Sequence, residues 1–209
     1  MLFRQSLGTD AQTGQMSKKQ QKKRLPPEER KKQLLEIAVE VFADRGISVA
    51  RHAEISERAG VSVATIFFYF PSRELLVDAV LTETERVFVD LPEIIDVDPG
   101  IKVIRQLLLN FMAYIEKYPN HSRILFEWSA SIRDDVWPRF LRLQDQLIES
   151  MAEQIAEERI GQPAKGAATP EEIARLLMGV AYTLYIMKFS GIPDQDIAKF
   201  ADGLVETLG

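Results

Sequence analysis

Apolar residues recur at three- and four-residue steps along almost the whole chain, and no stretch alternates as a strand would, so the pattern predicts helices throughout. Proline and glycine cut that pattern into roughly nine segments. Pro26-Pro27 opens the first, with Glu28 and Glu29 in its first turn, where the helix dipole favours acids. Leu34, Ile37, Ala38, Val41 and Phe42 form its inward stripe, and Gly46 ends it after Arg45. A short helix follows over about Ala53–Ala59 and breaks at Gly60. Ser62 caps a third through about Phe70; Pro71 forbids its continuation, and Ser72 caps a fourth running to about Leu91. Beyond Pro92 and Pro99-Gly100, longer amphipathic helices are expected near 101–118, 120–130 and 134–159, followed by a Gly/Ala/Pro-rich loop over Gly161–Thr169. Thr169-Pro170-Glu171-Glu172 is a capping signal for a helix through about Phe189, and Pro193 starts the last, ending near Leu208. The fold class is all-α.

Charge divides this chain unevenly. Residues 1–73 carry 13 Lys/Arg against 8 Asp/Glu, a net of +5, whereas residues 74–209 carry 13 against 23, a net of −10. Lys18, Lys19, Lys22, Lys23 and Arg24 fall within seven positions, followed by Arg30, Lys31 and Lys32. A basic end on an acidic body suits a protein whose first part alone meets a polyanion, although a lone lysine run is equally consistent with a solvated tail. The 209 residues include no cysteine, which excludes a disulfide scaffold, a thiolate metal site and a cysteine nucleophile. No apolar run approaches the ~18 residues of a membrane span. The stretch before Met16, itself a plausible alternative start, lacks the apolar core of a signal peptide. A cytoplasmic protein with no membrane partner is expected.

The two short helices carry the functional signal. Joined by a tight glycine turn and braced by the longer helix before them, they make a helix-turn-helix over about 51–70. Ile55 and Ala59 on one must meet Ile66 and Phe70 on the other, and Gly60 permits a backbone angle costly for other residues. Ser62 then opens the second helix, whose N-terminal residues can project into a major groove while its amides face phosphate. Thr65 and Tyr69, four apart, carry hydroxyls suited to phosphate oxygens. Any hairpin of helices shows part of this pattern; the adjacent basic arm is what favours double-stranded DNA as the partner.

Ala59-Gly60-Val61-Ser62, followed by Thr65-Ile66-Phe67-Phe68-Tyr69-Phe70-Pro71-Ser72-Arg73-Glu74, resembles the signature of TetR-family transcriptional regulators. Gly46-Ile47, His52-Ala53-Glu54-Ile55, Phe126-Glu127-Trp128-Ser129-Ala130-Ser131 and Arg133-Asp134-Asp135-Val136-Trp137-Pro138 narrow it to the LuxR/HapR/SmcR subgroup of quorum-sensing master regulators. The motifs cover about residues 24–140, and the remainder matches by helix layout alone. The resemblance implies a flexible basic arm over 1–24, a DNA-binding domain over 25–90 and a regulatory and dimerisation domain over 91–209. It places Lys22 and Arg24 in the minor groove and Arg51 and His52 beside phosphate. Ser62, Val63, Ala64 and Thr65 take the base- and phosphate-facing turn, with Phe67, Phe68, Tyr69 and Arg73 toward its exit. One departure stands out: the subgroup usually has Asn where this chain has Phe68. Asn can pair twice with adenine, whereas Phe offers apolar contact, as with a thymine methyl. Phe68 therefore either shifts the operator sequence or is simply packed.

The resemblance also implies that the last two helices pair with those of a second copy. Ile173, Leu176, Leu177, Val180, Ala181, Leu184 and Tyr185 cover more of one helix than a single face needs, and such excess apolar surface marks an interface. Leu176, Leu177, Val180, Leu184 and Tyr185 are the expected dimer contacts. Many TetR proteins enclose a ligand cavity in this body; Phe111, Met112, Phe126, Trp128, Trp137, Met178 and Tyr182 are the candidates to line it around a small apolar ligand. Trp128 and Trp137 are favoured because Glu127, Ser129 and Ser131 bring polar atoms nearby, yet large aromatics at helical spacing are equally ordinary core, and a buried Trp needs a partner for its N–H.

Catalysis has no support. His52 and His121, the two histidines, lack metal-ligand spacing, and His121 follows Pro119-Asn120 where capping or exposure is expected. Asp134-Asp135 suits the first turn of a helix, and neither a P-loop nor a dinucleotide-binding glycine pattern occurs. No cofactor, metal or catalytic residue is expected. The favoured reading is a homodimeric regulator, global and density-linked, that both represses and activates from the nucleoid. Its rivals are a local repressor of an efflux or catabolic gene, released by a specific ligand, and a dimeric ligand-binding module that no longer engages DNA.

Overall fold

The computed structural model describes residues 25–89, 103–158 and 168–208. Among these residues there are nine helices and no strands. Four form the N-terminal head: α1 (Pro27–Arg45), α2 (His52–Ala59), α3 (Val63–Tyr69) and α4 (Arg73–Val89). Five form the body: α5 (Val103–Lys117), α6 (Pro119–Ala130), α7 (Trp137–Glu158), α8 (Pro170–Phe189) and α9 (Asp194–Leu208).

The helix ends follow the local chemistry. Pro27 takes the first position of α1, where its missing N–H costs nothing, and Gly46 stops that helix at φ 94° and ψ 155°. Thr169 and Glu172 form a reciprocal capping box at α8: the Thr169 hydroxyl accepts from the Glu172 amide at 3.2 Å, and the Glu172 carboxylate accepts from the Thr169 amide at 2.7 Å. The Ser72 hydroxyl accepts from the Leu75 amide at 3.2 Å and so caps α4. α7 starts three residues later than the apolar pattern suggests, at Trp137 rather than near 134. Pro138 explains the shift, because a proline fits only the first turn of a helix.

Two cores hold the molecule together. One joins Leu34, Ala38, Phe42, Ile55, Ile66 and Leu76 of the head to Tyr114, Ile124, Trp128, Phe140 and Leu143 of the body. The second lies inside the body and gathers Leu108, Ile148, Ile155, Leu177, Leu184, Ile197 and Val205 from α5, α7, α8 and α9. The head is thus seated on α6 and the start of α7 by continuous apolar packing. Charge fastens the same junction: the Arg139 guanidinium on α7 donates to Asp78 and Glu85 carboxylates and to the Thr82 hydroxyl on α4.

Candidate nucleic-acid interface

The α2–α3 turn is built around Gly60, which sits in the left-handed region at φ 64° and ψ 36°. Its amide donates to the Glu57 carbonyl at 3.2 Å and the Val61 amide to the Ser56 carbonyl at 3.0 Å, closing α2 in a Schellman-like turn. Ile55 then meets Ile66 and Phe70 in the buried core, with Ala59 half-buried beside them. With Ile66 and Phe70 pinned inward, the opposite arc of α3 must face out. Ser62, Val63, Ala64, Phe67 and Phe68 are all exposed, Phe68 most of all at 75%.

The polar groups of this surface are less free than their sequence suggests. The Ser62 hydroxyl accepts from the Thr65 amide at 3.2 Å and lies 2.8 Å from the Thr65 hydroxyl, so one of the two hydroxyls donates to the other at the helix start. Tyr69 is half-buried against the core and meets Phe68 edge-on, ring centroids 5.0 Å apart. Arg51 is exposed at the mouth of α2. Lys22 and Arg24 lie outside the described residues.

Two expected DNA contacts, His52 beside phosphate and Arg73 at the exit of the recognition turn, are turned into the protein instead. His52 is buried: its Nε2 lies 2.8 Å from the Phe70 carbonyl, and its ring stacks on Phe67 at 4.2 Å with the planes 6° apart. It fastens α2 to the end of α3 and holds the Phe67 ring, because a carbonyl left free by the Pro71 break needs a donor. Arg73 likewise turns inward and donates to the Ile47 carbonyl of the α1–α2 turn. The resemblance places both beside DNA, but long-range backbone acceptors, 18 and 26 residues away in sequence, claim them.

That α1–α2 turn is held from its other side by Glu127, expected only as a polar neighbour of the cavity tryptophans. Glu127 on α6 accepts from the Ile47 amide at 2.8 Å, so both polar groups of the Ile47 backbone end on side chains from other elements. Burial raises the Glu127 carboxyl above its usual range, partly opposed by the Ile47 amide and by Arg133. A contact 80 residues apart in sequence leaves no local signal; only the glycine opposite it hinted at a close approach.

Behind this head, α4–α8 enclose a cavity of about 580 Å³. Phe111, Phe126, Trp137, Met178 and Tyr182 are among the residues that line it. Trp128 and Met112 are not. The Trp128 side chain is fully buried in the head–body core, and its Nε1 donates to the Val136 carbonyl at 2.9 Å. Met112 is half-buried against the body core. The wall also carries neutral polar groups, Asn110, Ser129, Gln144, Ser150 and Gln154, and one charge, Arg175, paired with Glu171 at 2.8 Å.

α8 is apolar on two sides, and the expected dimer residues divide between them. Leu177, Val180 and Leu184 are buried inside the body's own core, a correction to their expected role. Tyr185 is half-buried and stacks on Phe126, centroids 3.9 Å apart. Leu176 is exposed, and Tyr182, Ile186 and Phe189, at helical spacing, make an apolar stripe along the open side of the helix. His121 also departs from expectation: it lies half-buried in the first turn of α6 with its Nε2 unpartnered, and burial lowers its pKa.

Among the described residues no group of three or more His, Asp or Glu stands close enough to hold a metal ion, and no helix is long and apolar enough to cross a membrane. The family profile described as bacterial regulatory proteins, tetR family, matches residues 34–80, which run from mid-α1 through α2 and α3 into α4. The chain is 37% identical over 183 residues to the HTH-type transcriptional regulator LuxR of Vibrio harveyi, covering 85% of this chain and 88% of that protein. Its fold is similar to that of a TetR-like transcriptional regulator from Rhodococcus sp. RHA1, with a TM-score of 0.67 at 24% identity, covering 87% of this chain and 96% of the other. It is also similar to a transcriptional regulator from Saccharomonospora viridis solved in complex with choline, with a TM-score of 0.64 at 18% identity, covering 86% and 96%. By its helix-turn-helix, its nine-helix layout among the described residues and its extended likeness to LuxR, this chain belongs to the TetR family of transcriptional regulators.

Proposed function

We propose that the chain works as a homodimer that seats α3 of each copy in successive major grooves of a pseudo-palindromic operator, while Lys22 and Arg24 reach into the flanking minor groove. The observation that carries this reading is the outward arc of α3, four exposed residues and the exposed Ser62 cap on a helix anchored through Ile66 and Phe70. Arg51 and the amides at the start of α3 meet phosphate. The copies join through the open stripe of α8, Tyr182, Ile186 and Phe189, together with the exposed Leu176 and α9. An apolar stripe of that extent on a soluble helix favours association with a second copy.

Its likeness to LuxR over most of both chains favours a global, quorum-sensing-type regulator that represses some promoters and activates others from the nucleoid. The cavity behind the head suits a small, mainly apolar ligand oriented by the amides of Gln144 and Gln154, and α4 carries its occupancy to the head. Mapping bound DNA across the genome in cells at low and high density tests this role. Occupancy of many promoters that changes with density is the expected result; a single adjacent promoter, occupied alike at both densities, contradicts it.

A further inference from the structure

The DNA-facing arc of α3 is nearly devoid of groups that read base edges by hydrogen bonding. Val63 and Phe67, and likewise Ala64 and Phe68, are four apart and pair along the exposed side of the helix, with Ala64 and Phe68 directly opposite the buried Ile66 and Phe70. Most polar side chains that could supplement them are engaged elsewhere, and the exposed Arg51 and half-buried Tyr69 are left to phosphate. Ser62 and Thr65 hydroxyls face each other at 2.8 Å, His52 is turned onto the Phe70 carbonyl, and Arg73 onto the Ile47 carbonyl. What remains exposed is aliphatic and aromatic, with the Phe67 ring fixed by its stack on His52 and Phe68 standing clear at 75% exposure.

Only one base presents an apolar group in the major groove: thymine, through its 5-methyl. We propose that α3 selects its operator through thymine 5-methyl groups, with Phe68 as the principal specificity-determining residue and Val63 and Phe67 completing the surface around it. Phosphate contacts fix the register, and methyl burial on these side chains supplies the discrimination. This inference rests on the DNA-docking reading above and adds what that docking recognises.

Uracil tests it, because deoxyuridine differs from thymidine by the methyl alone and keeps every hydrogen-bonding group in both grooves. The full chain first selects a duplex from a random pool. Fluorescence anisotropy then measures its binding to that duplex and to versions carrying deoxyuridine at symmetric pairs of thymine positions, one pair at a time. Burying a methyl on apolar surface is worth about fourfold in affinity, so a symmetric pair should lose about fifteenfold at contacted positions and nothing elsewhere. Phe68→Ala, a change at an exposed side chain with unaltered folding expected by thermal melt, should bind the thymine and uracil duplexes equally at the positions Phe68 covers. Uracil at every position leaving affinity unchanged, with the selected duplex still bound, overturns methyl readout and spares the docking. Sensitivity to uracil that survives intact in Phe68→Ala overturns the assignment to Phe68. A chain that selects no duplex overturns both readings.

Discussion

Gly46→Ala probes the joint between head and body. Gly46 adopts φ 94° and ψ 155°, a backbone region open essentially to glycine alone, where a side chain costs about 1–3 kcal/mol. A Cβ there would also stand 2.8 Å from the Glu127 Oε1, the atom that accepts from the Ile47 amide. The carboxylate would have to swing away, losing a hydrogen bond to a charged acceptor worth about 1.5–3 kcal/mol. The two effects together predict a loss of about 4 kcal/mol in urea-unfolding stability. Glu127→Ala separates them. In that background no carboxylate remains to be displaced, so Gly46→Ala should cost only the backbone share, and the double-mutant cycle should return a coupling of about 1.5–3 kcal/mol. Additive losses, within about 0.5 kcal/mol, would refute the argument that the glycine is there to admit Glu127.

Three further outcomes follow from the same contacts. Burial raises the Glu127 carboxyl, so the folded state holds that proton more tightly than the unfolded one, and the stability it confers is present at low pH and lost as pH rises through the raised value. The stability difference between the native chain and Glu127→Gln should therefore fall across that window in urea titrations at stepped pH, and a flat difference would show that the carboxyl is not perturbed. Trp128→Phe removes the donor to the buried Val136 carbonyl and should cost about 1–3 kcal/mol, while leaving the binding of a fluorescent apolar probe in the cavity unchanged. Weakened probe binding with unaltered stability would return Trp128 to the cavity wall. Ile186→Asp places two like charges on the proposed two-fold stripe and should turn a dimer into a monomer by sedimentation velocity, whereas a dimer that persists would move the interface elsewhere.

Most of the helix layout is legible in the sequence because punctuation is local. Pro27, Gly46, Gly60, Ser62, Pro71, Ser72 and the Thr169–Glu172 box each act within four residues, and the structure uses every one of them at a helix end or turn. Part of the outward arc of α3 is legible for the same reason: once Ile66 and Phe70 are inward, helical geometry turns Ala64 and Phe68 outward. What sequence cannot supply is the partner of a long-range contact. His52 and Arg73 look like groove residues because they are polar and near α3, yet carbonyls freed by chain turns claim them both. Apolarity shows the same gap on α8, where periodicity registers two apolar sides and only packing decides that Leu184 faces its own core while Ile186 faces out. Trp128 and Trp137 are nine residues apart and equally aromatic, but the turn between α6 and α7 gives the first a carbonyl partner and turns the second toward the cavity.

Paired docking of α3 is tested most directly by changing the distance between half-sites. The full chain is titrated against its selected operator and against the same duplex with five base pairs inserted at the centre, at two salt concentrations. Insertion turns the second half-site to the opposite face of the helix, about half a turn away from the ~34 Å repeat that a symmetric pair of recognition helices spans. Affinity should collapse to the level of unrelated DNA and should fall steeply with salt for the intact operator, with two chains per duplex by sedimentation. Undiminished binding to the lengthened duplex, or one chain per intact operator, would contradict the account.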